Sequence, residues 1–207
     1  MYRILEMEKW SRKDHFSFFS QFEEPFFGIS AQVDCSKAYH LCKERNYSFF
    51  LYYLHASLLA INAIEPFRYR ILKENVIIYD QIDASPTINR EDGTFGFSYM
   101  AFYENFEKFQ SEGKQEIKRV RETPGLKPAV EGENVIHYSS LPWINFTSIS
   151  HARSFSFPDS SPKITFGKVI DSNDGLKMPV SVHAHHALMD GIHVAQFFNE
   201  FQKNLDR

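Results

Sequence analysis

Hydrophobic and polar positions change period several times along this chain, and each change marks an element. Residues 8–22 set Phe16, Phe19 and Phe22 at near-helical spacing behind Ser11, which predicts a short helix capped by that serine. Residues 27–34 alternate as a strand does, and Cys35-Ser36 introduces a helix with Ala38, Leu41 and Cys42 on one side. A longer helix runs from a Ser48 cap through Ile64, and Pro66 ends it. Its apolar residues (Phe49, Phe50, Leu51, Leu54, Leu58, Leu59 and Ile61) go nearly all round, the pattern of a helix buried in a large domain.

Strand-like runs then come in pairs. Residues 68–72 and 76–79 flank Lys73-Glu74-Asn75, residues 86–90 and 95–102 flank Glu91-Asp92-Gly93-Thr94, and residues 163–170 and 176–186 flank a turn over 171–175. Three hairpins predict an antiparallel or mixed sheet. Residues 104–122 are charged on one side and carry Phe106, Phe109, Ile117 and Val120, hence a surface helix, interrupted near Gly113. A loop is expected at 124–128 and strands at 135–139 and 143–149. The last helix shows Val194, Phe197, Phe198, Phe201 and Leu205 on one face, which docks it on the sheet.

Composition narrows the function. With 207 residues and 43% apolar content the chain can bury a full core, and one α/β domain over 1–207 is expected. The 21 phenylalanines need either an aromatic core or a pocket for a flat apolar ligand, with the core as the main sink. Net charge is -3 and no Lys/Arg block is long enough to track phosphates along a duplex, so nucleic acid is not an expected partner. Acids stand among the first residues where a secretion signal would be apolar, and no run reaches the ~18 apolar residues that span a bilayer. A cytosolic protein with no membrane partner is expected. Cys35 and Cys42 are too few for a disulfide framework and are expected as free buried thiols.

The candidate chemistry lies in residues 179–193. A strand pattern gives way to a helix there, which puts His185, His186 and Asp190 on a strand-to-helix turn. On a strand His183 and His185 point to one face and His186 to the other. A neutral imidazole can accept a proton near neutral pH, and His186, four residues before Asp190-Gly191, is the candidate general base. His183, His185 and His193 are expected as structural histidines. A zinc site would need a further ligand from His193 or Asp190 with geometry made by the turn, and no metal is expected.

The chain resembles the chloramphenicol acetyltransferase family. The likeness rests on residues 185–195 (His185-His186-Ala187-Leu188-Met189-Asp190-Gly191-Ile192-His193-Val194-Ala195), on Trp10 to Phe16, on Ser139 to Phe146, and on Ile164 to Lys168. It implies a two-layer α/β fold with a mixed sheet and helices, the fold of coenzyme A-dependent acyltransferases, assembled as a homotrimer with active sites between subunits. It implies acetyl-CoA as cosubstrate, with no permanently bound cofactor, and chloramphenicol or a similar small aromatic alcohol as acceptor. His186 matches the general base, Ser139 the hydroxyl that stabilises the oxyanion, and Thr165 a residue that holds a water near it. Asp190 matches an ion-pair partner of Arg12, while Lys168 and Trp143 match the coenzyme side. Phe19, Phe27, Phe95 and Phe97 match an aromatic acceptor wall. Glu23, Pro25, Ile149, His151 and Lys163 depart from the family's mainly apolar or small residues around the acceptor, and Ser48 stands where some members have a lysine beside the coenzyme phosphates. Two other readings remain: acyl transfer to another small alcohol or thiol, since dihydrolipoamide acyltransferase cores share the His-x-x-x-Asp-Gly spacing, and a non-catalytic ligand- or metal-binding trimer on the same scaffold.

Overall fold

Alternation along one long strand divides the molecule: Val180, Val182 and Ala184 enter the main core, while Ser181, His183 and His185 face the other way. The computed structural model describes residues 1–126, 132–154 and 159–207. In chain order the elements are β1 (Tyr2–Ile4), α1 (Lys13–Phe19), β2 (Phe26–Asp34), α2 (Ser36–Arg45), α3 (Phe49–Ala63), β3 (Tyr69–Leu72) and β4 (Asn75–Tyr79). They continue with β5 (Asp83–Asn89), β6 (Phe95–Phe97), α4 (Phe106–Glu122), β7 (Val135–Ser140), β8 (Lys163–Phe166), β9 (Ile170–Ser172), β10 (Gly175–His185) and α5 (Gly191–Leu205).

A mixed seven-stranded sheet runs β2-β10-β8-β7-β5-β6, with β9 paired to β10, and a smaller sheet runs β1-β4-β3. Among the described residues only the β5/β7 and β7/β8 pairs are parallel. The helix-side residues Ile136, Tyr138, Ile164, Phe166, Val180 and Val182 pack with Leu54, Leu58 and Ile61 of α3 and with Val194, Phe197 and Phe201 of α5. Each such side chain contributes roughly 1.5–3 kcal/mol by leaving water. The phenylalanines find their main sink here, as Phe166 touches Tyr53, Tyr138 and Phe201 and Phe197 stacks on Phe201. A second, smaller core joins Tyr69, Val76 and Ile78 of the small sheet to Leu188, Trp10 and Phe16. Among the described residues no helix is long and apolar enough to cross a membrane.

The three hairpins form as expected, α3 is capped by Ser48, and both cysteines are free and buried. Other expectations are corrected. Ser11 does not cap α1; Arg12 occupies that position without a side-chain cap bond, and its guanidinium is drawn instead to Asp190. The helix also ends at Phe19. Helix α4 is continuous through Gly113, where a Cβ would stand 2.8 Å from Leu51 Cδ2, so the missing side chain serves close packing on α3. Residues 143–149 make no strand, because β8 already occupies the position beside β7 and Pro142 follows the last sheet bond, from Leu141 N–H to the Phe166 carbonyl. The strand expected over 163–170 is broken at Gly167 into β8 and β9, and the one expected over 95–102 stops at Phe97. Pro124 to Leu126 lack regular structure, and the rest of the loop expected over 124–128 lies outside the described residues.

Candidate active site

Strand β10 ends at His185 because the next residues turn: the N–H groups of Leu188 and Met189 both donate to the His185 carbonyl, at 2.9 and 3.1 Å. His186 N–H donates to the Pro25 carbonyl at 2.8 Å, which carries its ring to the face opposite His185. There the imidazole stacks on Phe19 at 4.0 Å and 11° and leans on Phe27 at 4.6 Å. Its Nδ1 is 3.2 Å from Asp190 Oδ1, outside hydrogen-bond geometry, and has no hydrogen-bond partner among the described residues. Two aromatic walls and a carboxylate therefore orient the ring while its edge stays partly open.

Asp190 precedes α5, where its N–H donates to His193 Nδ1 at 2.9 Å. Arg12, itself buried, pairs with the Asp190 carboxylate through Nη1 and donates to the His186 carbonyl through Nη2 at 2.9 Å. Burial alone would raise the Asp190 carboxyl, but the Arg12 hydrogen bond and charge hold it below the usual carboxylate range. The pair ties the start of α1 to the start of α5, beside His186.

Ser139 and Thr165 form a second group. They are directly paired in the parallel β7/β8 ladder, and Thr165 pairs in turn with Ser181 of β10, all on the face away from the helices. The Pro86–Tyr138 pairing brings Thr87 level with Ser139, and Thr87 pairs with Phe97. Phe97 lies edge to face with Phe95, 5.7 Å between centroids. His151 reaches this row from the loop after β7, its Nε2 3.5 Å from Thr165 Oγ1 and its ring edge-on to His183 at 4.7 Å. Burial first, then His183 and Lys163, push the His151 imidazole down to about 4, so it is neutral near pH 7.

The sequence-predicted residues thus fall into two groups. His186, Arg12, Asp190, Phe19 and Phe27 stand together, as do Ser139, Thr165, His151, Phe95 and Phe97. The groups are apart: Ser181, level with Thr165, precedes His185 by four residues of extended strand, roughly 13 Å at about 3.3 Å per residue. One chain does not bring His186 to Ser139. Lys163, on the same face of β8 as Thr165, is buried, with its ammonium paired to Asp159 and 4.6 Å above the Phe26 ring. Glu23 and Pro25 line a cleft of about 540 Å³ beside α1, with Arg153 and His185. Ile149 is partly buried on the loop that carries His151.

Lys168 stands at a cleft of about 500 Å³ at the ends of β7 and β8, walled by Phe49, Phe50, Val169, Met178 and Pro142. Tyr53 OH and Ser140 Oγ, 3.0 Å apart, also line it. Trp143 is 62% exposed on the turn after β7. Sequence reading missed Tyr53 and Asp159. Tyr53 is hidden in an all-round apolar helix, and Asp159 sits four residues before Lys163 in a segment that is not helical. Among the described residues no group of three or more His, Cys, Asp and Glu side chains is placed to share a metal ion.

A family model described as chloramphenicol acetyltransferase matches residues 1–202. The chain belongs to the chloramphenicol acetyltransferase family. It is accordingly an acyltransferase. It is similar to chloramphenicol acetyltransferase 3 of Escherichia coli, 28% identical over 205 residues, covering 98% of this chain and 96% of that one. A solved structure named chloramphenicol acetyltransferase superposes with a TM-score of 0.92 at 32% identity, covering 99% and 100% of the two chains. A probable dihydrolipoamide acetyltransferase from Listeria monocytogenes 4b F2365 shares the fold at a TM-score of 0.69 and 15% identity, covering 99% and 93%. The family's fold and the mixed sheet with helices described above are the same architecture, a coenzyme A-dependent acyltransferase fold.

Proposed function

We propose that this acyltransferase moves the acetyl group of acetyl-CoA to a hydroxyl of chloramphenicol or a similar small aromatic alcohol, at sites completed between the subunits of a homotrimer. One observation supports the reading: the histidine group and the Ser139–Thr165 row are both well built yet lie apart in one chain, as they would if a second chain brings the complementary half. Phe19 and Phe27 on one half, with Phe95 and Phe97 on the other, would close on a flat ring.

In this reading the open edge of His186 takes the proton of the acceptor hydroxyl as its oxygen bonds to the thioester carbonyl carbon. The carbonyl oxygen becomes an oxyanion and accepts a hydrogen bond from Ser139 Oγ, with Thr165 holding a water beside it. Collapse breaks the carbon–sulfur bond, and the departing thiolate receives the proton from the His186 imidazolium. Arg12 and Asp190 act as positioning residues. His186→Ala should lower kcat by ~10²–10⁴ with acetyl-CoA binding retained, as read by thiol release and calorimetry. Ser139→Ala should cost ~2.7–4 kcal/mol of transition-state stabilisation, seen in kcat with KM for acetyl-CoA nearly constant. Wild-type kcat in either variant, or no thiol release from acetyl-CoA with chloramphenicol present, overturns the reading.

The polar lining favours an acceptor that can also hydrogen-bond, because neutral His151 stands beside Thr165 where an apolar side chain would only pack. His151→Leu should therefore lower KM for chloramphenicol and raise it for a more polar alcohol.

A further inference from the structure

A glutamate or glutamine at the third position of a helix commonly reaches back to the N–H of the capping residue. In α5 the capping residue is Asp190 and the third position holds His193 instead. His193 Nδ1 accepts from Asp190 N–H at 2.9 Å, and His193 N–H donates to the Asp190 carbonyl at 3.0 Å. The residue held at both its N–H and its carbonyl is the one whose side chain serves the site. Its Oδ1 stands 3.2 Å from His186 Nδ1, and its Oδ2 is paired with Arg12.

An Nδ1 that accepts an N–H carries no proton, so the His193 ring is the neutral tautomer with its proton on Nε2. Burial first, then the Arg12 charge, keep this imidazole below its usual value, which favours the neutral form at pH 7. The groups whose charge reaches Asp190 are Arg12 from the start of α1, His186 from the turn and His193 from α5; those that reach His193 are Arg12 and Asp190. The rings against His186, Phe19 of α1 and Phe27 of β2, carry no charge, and His185, which senses His186 across the pleat, is itself neutral near pH 7. One carboxylate thus answers one guanidinium. A glutamate at 193 would close the same turn but add a second carboxylate, which favours the protonated His186 ring and so removes the free base.

We propose that His193 is a positioning residue for acyl transfer: it fixes the Asp190 backbone beside His186 through an uncharged acceptor, which leaves His186 available as a base. The proposal rests on the general-base reading argued above and deepens it.

The test compares His193→Ala, His193→Gln and His193→Glu with the wild type in two ways: thiol release from acetyl-CoA with chloramphenicol across pH, and NMR titration of the His186 ring without substrate. His193→Ala should lower kcat about tenfold or more with KM for both substrates nearly constant, because the base is misplaced and the substrates are not. His193→Gln, which restores a neutral acceptor, should recover most of that loss with the wild-type pH profile. His193→Glu, as stable as His193→Gln by urea midpoint, should move the rising limb of kcat/KM and the His186 titration together to higher pH, by about half a pH unit or more. Wild-type kcat in His193→Ala, a His193→Gln variant no better than His193→Ala, or a His193→Glu variant with both curves unmoved overturns the proposal. Should His193→Ala not fold, the comparison of His193→Gln with His193→Glu decides alone. A wild type that turns over no chloramphenicol overturns the acceptor reading, and the NMR titration then decides the role of His193: movement in His193→Glu with none in His193→Gln supports it, and movement in neither overturns it.

Discussion

His185 and His186 are adjacent in the chain, yet the pleat gives them opposite roles. His186 is partly open beside Asp190, whereas His185 is buried, with its Nδ1 accepting from Ala187 N–H at 3.3 Å. Burial first, then the cations Arg153 and Lys163, push the His185 imidazole down to about 4. In the unfolded chain it would take its proton near the ordinary value of about 6.5. Between those values the unfolded state binds more protons, so stability is full above about pH 6.5 and declines as pH falls toward 4. His151, also at about 4, adds to the same slope. Urea midpoints between pH 7 and 4.5 should fall accordingly, and a His185→Gln variant should show a shallower decline. Asp190 acts with the same sign but lower on the pH scale: its depressed carboxyl keeps its ion pair until the pH drops below the usual carboxylate range, so it adds little to the slope between pH 7 and 4.5. Removing Arg12 is a separate matter, since Arg12→Ala would leave Asp190 unpaired; a loss of ~1–3 kcal/mol is expected, reduced by the partial exposure of Asp190. The alternation of the strand made the split between His185 and His186 legible in sequence. The contact of Arg12 with Asp190 was legible only through family resemblance, because nothing local links residues so far apart.

Among the elements, the break between β8 and β9 matters most to the site. Gly167 donates to the Pro179 carbonyl, and Lys168 donates to the Ile144 carbonyl, so this short segment holds the loop after β7 and presents Lys168 to the cleft. A Cβ on Gly167 would lie 2.5 Å from Pro179 Cγ and 2.9 Å from the Ile144 carbonyl oxygen, and backbone cannot step aside as a flexible side chain can. Gly167→Ala should therefore destabilise by ~1–3 kcal/mol, read from the urea midpoint, and raise KM for the donor by shifting Lys168. A variant as stable as the wild type would show that the loop yields. Alternation over 163–170 promised one strand, and it failed at Gly167 because the neighbour's packing, which no local pattern records, requires the chain to kink there. The hairpins were readable for the opposite reason, since turn chemistry and register act over a few residues. Three-residue β1 was missed because so short a run carries no period.

At the scale of the whole molecule the two separated residue groups make a quantitative forecast. His186→Ala and Ser139→Ala subunits should each assemble into trimers that lack turnover. Mixed by unfolding and refolding at equal amounts, they should regain about a quarter of wild-type activity, since one interface in about four would join an intact His186 to an intact Ser139. No recovery in mixed trimers would place each site within one chain. The exposed side chains Trp143, Ile144 and Ile192, between 54% and 65% accessible, are apolar surface that a neighbouring subunit would cover.

The chain by itself determined its helices, its hairpins and the turn that presents His186, because these follow from periods and caps acting over a few residues. Tertiary structure decided which of those elements share a face. It put Ser139 and Thr165 in one register, pairing strands that are more than twenty residues apart in the chain, and it sent Lys163 into an ion pair with Asp159. It also kept His186 away from Ser139. Strand order and register in the main sheet arise from packing the apolar sides of its central strands against α3 and α5 at once, a global condition that no window of sequence contains.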